Sequence, residues 1–146
     1  MTRNVFMRAA ACAALMLGAT MPAAHAHDGG GGGGGGSGDG ARPVMKQAVP
    51  EAPGKLAVVA TVDYAPGQAS EPHRHLGSVF AVVSKGEVLS QVNDGPLRRY
   101  RAGEGWYEPP GSRHLMSRNA SDTEPAQIVV FGLTGEHEPL KSAMDQ

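Results

Sequence analysis

The sequence holds one cysteine, Cys12, and it lies near the start of the chain. A disulfide framework and a Cys–His catalytic pair are therefore excluded. Aromatic residues make up only 5% of the 146 residues, too few for a platform on which bases stack. Charge of one sign is missing as well. Thirteen Lys+Arg and 14 Asp+Glu leave a net charge of −1, so no basic face for nucleic acid is expected. The apolar run Ala9 to Ala19 is too short to cross a bilayer. There is no nucleophile-elbow pattern, no long helical periodicity and no internal repeat. The glycine run has neither the lysine nor the strand–helix setting of a phosphate loop.

What the chain has in abundance is glycine (21) and proline (11). Part of the glycine is one low-complexity stretch near the N-terminus. Ahead of it, Arg3 and Arg8 precede the short apolar run, and Ala24-His25-Ala26 fits a small-x-small cleavage site. Residues 1–26 are read as a signal peptide, which makes the mature protein periplasmic or secreted, with no membrane contact after removal. Cys12 leaves with it, so the mature chain has no thiol and must be stabilised by packing or metal. Residues 27–41, with Gly29 to Gly36, are read as a disordered tether, since they offer no side chains to bury.

From Arg42 onward, short apolar runs alternate with turn signals, as in an all-β domain of one barrel over residues 42–140. Strands are expected at Val44–Val49, Lys55–Tyr64, Ser78–Ser84, Glu87–Val92, Leu97–Arg101, Trp106–Glu108, His114–Ser117 and Ala126–Leu133. Asn93-Asp94-Gly95 is a hairpin signal. Phe80, Val82, Val130 and Phe131 are expected in the core, because a small barrel must fill its interior. The polar tail from Thr134 is expected to fray, with 141–146 disordered.

Three of the six histidines stand out. His73 and His75 are two apart, and on an extended segment such residues project to one side. His114 follows the rigid corner Pro109-Pro110-Gly111. Imidazoles that converge in this way suit a divalent transition metal (Fe, Zn, Mn, Ni or Cu). His137 lies in the polar tail and is a bystander.

The spacing around these histidines resembles the cupin family. Gly67, five residues, His73-Arg74-His75 and then Gly86 match the first motif. Gly103, five residues, Pro109, Gly111 and His114 match the second. The resemblance implies an antiparallel jelly-roll β-barrel with His73, His75 and His114 as metal ligands. It also implies a homodimer and a small-molecule substrate or ligand. Two positions depart from the family pattern. Its usual glutamate falls on Val79, and its asparagine falls on Arg118, with Asn119 one place late.

The loss of that glutamate turns attention to Glu108. On a strand it shares a face with Trp106 and opposes Tyr107. If it faces inward, it is a catalytic base beside bound water or a replacement metal ligand; if outward, Tyr107 lines the cavity. Gln91, Glu71 and Arg113 are weaker candidates: a polar group in the barrel, a partner for an imidazole N–H and a contact for an anion. The expected function is a small exported metal-binding cupin. As an enzyme it is read as a three-histidine Fe(II) dioxygenase type, with isomerase or decarboxylase chemistry also open. The alternative is a binding module without turnover.

Overall fold

The computed structural model of the protein describes residues 40–144. Residues 1–26, read above as a signal peptide, and nearly all of 27–41, read as a tether, lie outside that range. The described chain is all-β, with ten strands: β1 (Ala41–Ala48), β2 (Lys55–Tyr64), β3 (His73–Arg74), β4 (Ser78–Lys85), β5 (Glu87–Val92), β6 (Arg98–Arg101), β7 (Gly105–Glu108), β8 (Arg113–Asn119), β9 (Ala126–Gly135) and β10 (Ser142–Ala143). They form two five-stranded sheets in the orders β1-β2-β9-β4-β7 and β10-β3-β8-β5-β6. Every strand pairing is antiparallel. This is the expected jelly-roll architecture.

The longest pairing joins β2 to β9 from Lys55↔Gly135 to Tyr64↔Ala126. Both strands are rich in β-branched residues, which pack well on a pleated, half-buried surface. The core takes Val62 and Tyr64 from β2, Val79, Ala81 and Val83 from β4, and Ile128 and Val130 from β9. Val88 joins them from the other sheet.

Three residues expected in that core are elsewhere. Phe80 and Val82 are each 47% exposed and Phe131 is 39% exposed. Strand β4 is apolar on both faces, and Val79, Ala81 and Val83 take the inside. Phe80 and Val82 stand outside, where Phe80 lies 4.9 Å from the ring of Tyr107 and 6.1 Å from that of Phe131. Val130 is buried as expected.

The C-terminal segment also differs from expectation. Strand β9 continues to Gly135, and after a turn the chain returns so that Ser142 and Ala143 pair with Arg74 and His73. Residues 141–144 are thus not a loose tail; Leu140 packs against the core on the way. At the other end, Ala41 is already in β1, opposite Val62.

Candidate metal centre

The three histidines come together because two strands and one corner are fixed to each other. His73 in β3 lies directly opposite His114 in β8. Directly opposed residues on an antiparallel pair project from the same face of the sheet. His75 is delivered by a backbone clasp. Its N–H donates to the Ser112 carbonyl (3.1 Å), and its carbonyl accepts from Gly111 N–H (2.8 Å). The Pro-Pro-Gly corner that leads to His114 therefore also holds His75. Gly111 has φ 78°, a conformation that a residue with a Cβ rarely adopts.

All three imidazoles are buried, and one ligand nitrogen from each lies within 4.8 Å of the others. Their remaining nitrogens are held from outside. His73 Nδ1 lies 2.8 Å from the Glu71 carbonyl and His75 Nδ1 lies 2.7 Å from the Leu140 carbonyl. A carbonyl only accepts, so both Nδ1 atoms carry the proton and both Nε2 atoms turn lone pairs inward. These Nε2 atoms are 3.1 Å apart. His114 Nε2 lies 2.9 Å from Ser90 Oγ; when that hydroxyl accepts the N–H, Nδ1 is left for the centre. Neutral nitrogens facing one another at this distance repel unless a cation or proton lies between them. The donor set fits a transition metal.

Electrostatics keep His75 and His114 neutral. Burial pushes His75 down to about 4, opposed by its hydrogen bond to Leu140 and reinforced by the charges of His73 and Lys141. Burial, followed by the neighbouring histidines His73 and His75, pushes His114 down to about 3. Protons therefore compete weakly for these nitrogens at neutral pH.

Glu108 faces inward and is 1% exposed. Strand β7 alternates so that Trp106 and Glu108 share the inner face, while Tyr107 lies outside at 49% exposure. Trp106 Nε1 donates to Glu108 Oε1 at 2.9 Å. The same oxygen lies 3.2 Å from His114 Nδ1, and Oε2 lies 3.5 Å from His75 Nε2. Burial raises the carboxyl to about 7, with the Trp106 hydrogen bond acting against it.

The weaker candidates fall away from the centre. Gln91 Nε2 donates to the Gly95 carbonyl in the hairpin, and Arg113 pairs with Asp94 at 2.9 Å. Glu71 does serve an imidazole, but through its main-chain carbonyl; its side chain is exposed. His137 is exposed in the turn before β10.

An interior cavity of about 70 Å³ adjoins the histidines and Glu108. Its wall includes residues that local sequence pattern does not single out. Tyr64 Oη lies 2.9 Å from Ser70 Oγ and 2.7 Å from Ser117 Oγ, a buried hydroxyl chain. Leu140 and Lys141 close another side. Ser117 and Asn119 reach the inside because of a bulge: Gln91 pairs with Met116, yet the next residue, Val92, pairs with His114. Leu115 is thus an extra residue in β8, and it shifts the alternation by one. The asparagine that comes one place late is thereby turned inward, where it is fully buried.

The Cupin domain family matches residues 60–132, half of the chain. The chain belongs to the cupin family. Solved structures agree with this fold. An uncharacterized conserved protein with a double-stranded β-helix domain from Klebsiella pneumoniae is 22% identical over 71% of this chain and 82% of its own, with a TM-score of 0.56. A DMSP lyase from Ruegeria pomeroyi is 21% identical over 60% of this cupin, at a TM-score of 0.52. A recombinant oxalate oxidase in complex with glycolate is 27% identical over 76% of the chain, at a TM-score of 0.55. The cupin spans 42% of that lyase chain and 58% of the oxidase chain. No protein of curated function matches the sequence.

Proposed function

We propose that this cupin is a metal-dependent enzyme acting on a small organic acid. His73, His75 and His114 would hold a divalent transition metal. The observation that carries this reading is the outward pinning of His73 and His75 through Nδ1, which turns their Nε2 atoms inward to converge with a ring nitrogen of His114. Such a metal supplies Lewis-acid polarisation, or oxygen activation if it is iron, which keeps the Fe(II) dioxygenase type as the specific reaction class. The cavity holds a ligand of only a few heavy atoms, and Lys141 on its wall suits an anion. The likeness to an oxalate oxidase that binds glycolate supports the same size and charge. Glu108 faces the same cavity, with its carboxylate beside His75 and His114.

The test is metal content. Wild-type protein purified without an affinity tag is expected to carry stoichiometric metal by elemental analysis. His73→Ala and His114→Ala are expected to lose most of it. Wild-type stoichiometry in both variants would end the assignment. A substrate screen of small carboxylic acids with and without oxygen then separates an oxidase or dioxygenase from a binding module without turnover.

The chain is further read as exported and homodimeric. The N-terminal signal pattern supports export. Exposed Phe80, Val82 and Phe131 beside exposed Tyr107 support a second copy on the outer face of the first sheet. A mature N-terminus at His27 in an exported fraction, and a sedimentation mass of twice the chain, are the expected results. An uncleaved cytoplasmic chain and a monomer mass would overturn them.

A further inference from the structure

The position of Glu108 relative to Val79 identifies what it replaces. The two residues are directly opposed in the antiparallel pairing of β4 with β7. Both are 1% exposed, and both face the cavity next to the histidines. Opposed side chains on such a pair start about 5 Å apart and project the same way. A carboxylate on either strand can therefore reach one point between them. Val79 is where the family pattern places a glutamate, and Glu108 is its cross-strand neighbour.

The surroundings of Glu108 point the same way. One oxygen, Oε1, is satisfied by Trp106 Nε1. The other, Oε2, is buried and has no hydrogen-bond partner. It faces His75 Nε2 at 3.5 Å, an atom that carries a lone pair because Nδ1 donates to Leu140. A buried acceptor aimed at another acceptor is costly to leave so. A cation shared by the carboxylate and the imidazoles removes that cost. A purely structural partner of Trp106 needs only the first oxygen, and leaves the second unexplained.

We infer that Glu108 is a metal ligand, transposed by one strand from the position that Val79 occupies, so that the centre has three imidazoles and one carboxylate. This rests on the three-histidine reading above. The carboxylate lowers the net charge of the centre by one and makes it more favourable for harder divalent ions than three neutral nitrogens alone. Trp106 then acts as a positioning residue, fixing the carboxylate through its indole N–H.

The experiment is Co²⁺ titration of the metal-free protein, read by affinity and by the visible absorption of the bound ion. Glu108→Gln and Glu108→Ala are expected to weaken Co²⁺ binding by at least about tenfold and to change its spectrum. The double variant Val79→Glu/Glu108→Val is expected to regain most of both. Melting of each metal-free variant, followed by circular dichroism, checks that the fold persists. A Glu108→Gln protein with wild-type Co²⁺ affinity and spectrum, alongside a His73→Ala protein that has lost them, would overturn the inference and leave the histidine site standing. A wild-type protein that binds no Co²⁺ would overturn both.

Discussion

Asn119 is the residue that most depends on its context. In sequence it sits one place past the family position, and simple alternation from His114 would face it outward. The extra residue at Leu115 restores it to the interior. There Nδ2 donates to the carbonyls of Glu124 (2.7 Å) and Ala65 (3.1 Å), and Oδ1 accepts from Ser121 N–H (2.9 Å). One amide thus ties the end of β2 to the loop before β9. Asn119→Ala leaves several buried groups unpaired and is expected to destabilise the protein by about 2–4 kcal/mol, measured by urea unfolding. Ser90 lies outside the sequence motifs for a different reason: it touches an imidazole through a hydroxyl, a group with no local signature. Glu71 serves His73 through its main-chain carbonyl, not through the side chain that sequence singles out. The histidines themselves are legible, because i and i+2 on an extended segment need no knowledge of the rest of the fold.

At the scale of elements, the C-terminal strap decides the most. Pro139 to Ala143 is short and partly polar, with no periodicity to mark it as a strand. It is held by Ser142 and Ala143 on β3, and its Leu140 carbonyl fixes the tautomer of His75. Deleting residues 139–146 is expected to keep the far-UV β signal. Metal affinity is expected to fall by about tenfold or more, since such outer partners of a ligand histidine commonly contribute that much. Unchanged affinity by calorimetric titration would show that His75 needs no strap. Strand β4 teaches a related lesson. Its apolar residues occupy both faces, so period-2 alternation marks a strand but does not say which set is inward. The pairing with β7 settles it: Val79 lies against Glu108, and Phe80 lies against Tyr107 outside. The phase of β7 is open in sequence for the same reason; in the structure Trp106 and Glu108 share the inner face.

For the whole molecule, the two sheets enclose a centre whose like-charged lone pairs oppose one another without a cation. Metal binding is therefore expected to stabilise the folded state. At free metal about a hundredfold above Kd the gain is about 2.7 kcal/mol. For a domain of this size that corresponds to a rise of roughly 10 °C or more in Tm. Scanning calorimetry of chelator-stripped and reconstituted protein checks this, and equal midpoints would count against a metal inside the fold. The amino-acid sequence by itself determined that the chain is all-β, where most strands lie, and which three histidines belong together. Those features rest on local alternation, on turn residues and on fixed spacing. The tertiary structure alone decided which faces of β4 and β7 are inner, that a bulge turns Asn119 inward, and that the C-terminal segment closes on His75. It alone set Glu108 against Val79. These are contacts between residues far apart in the chain, and they follow from strand pairing and register, to which local pattern is blind.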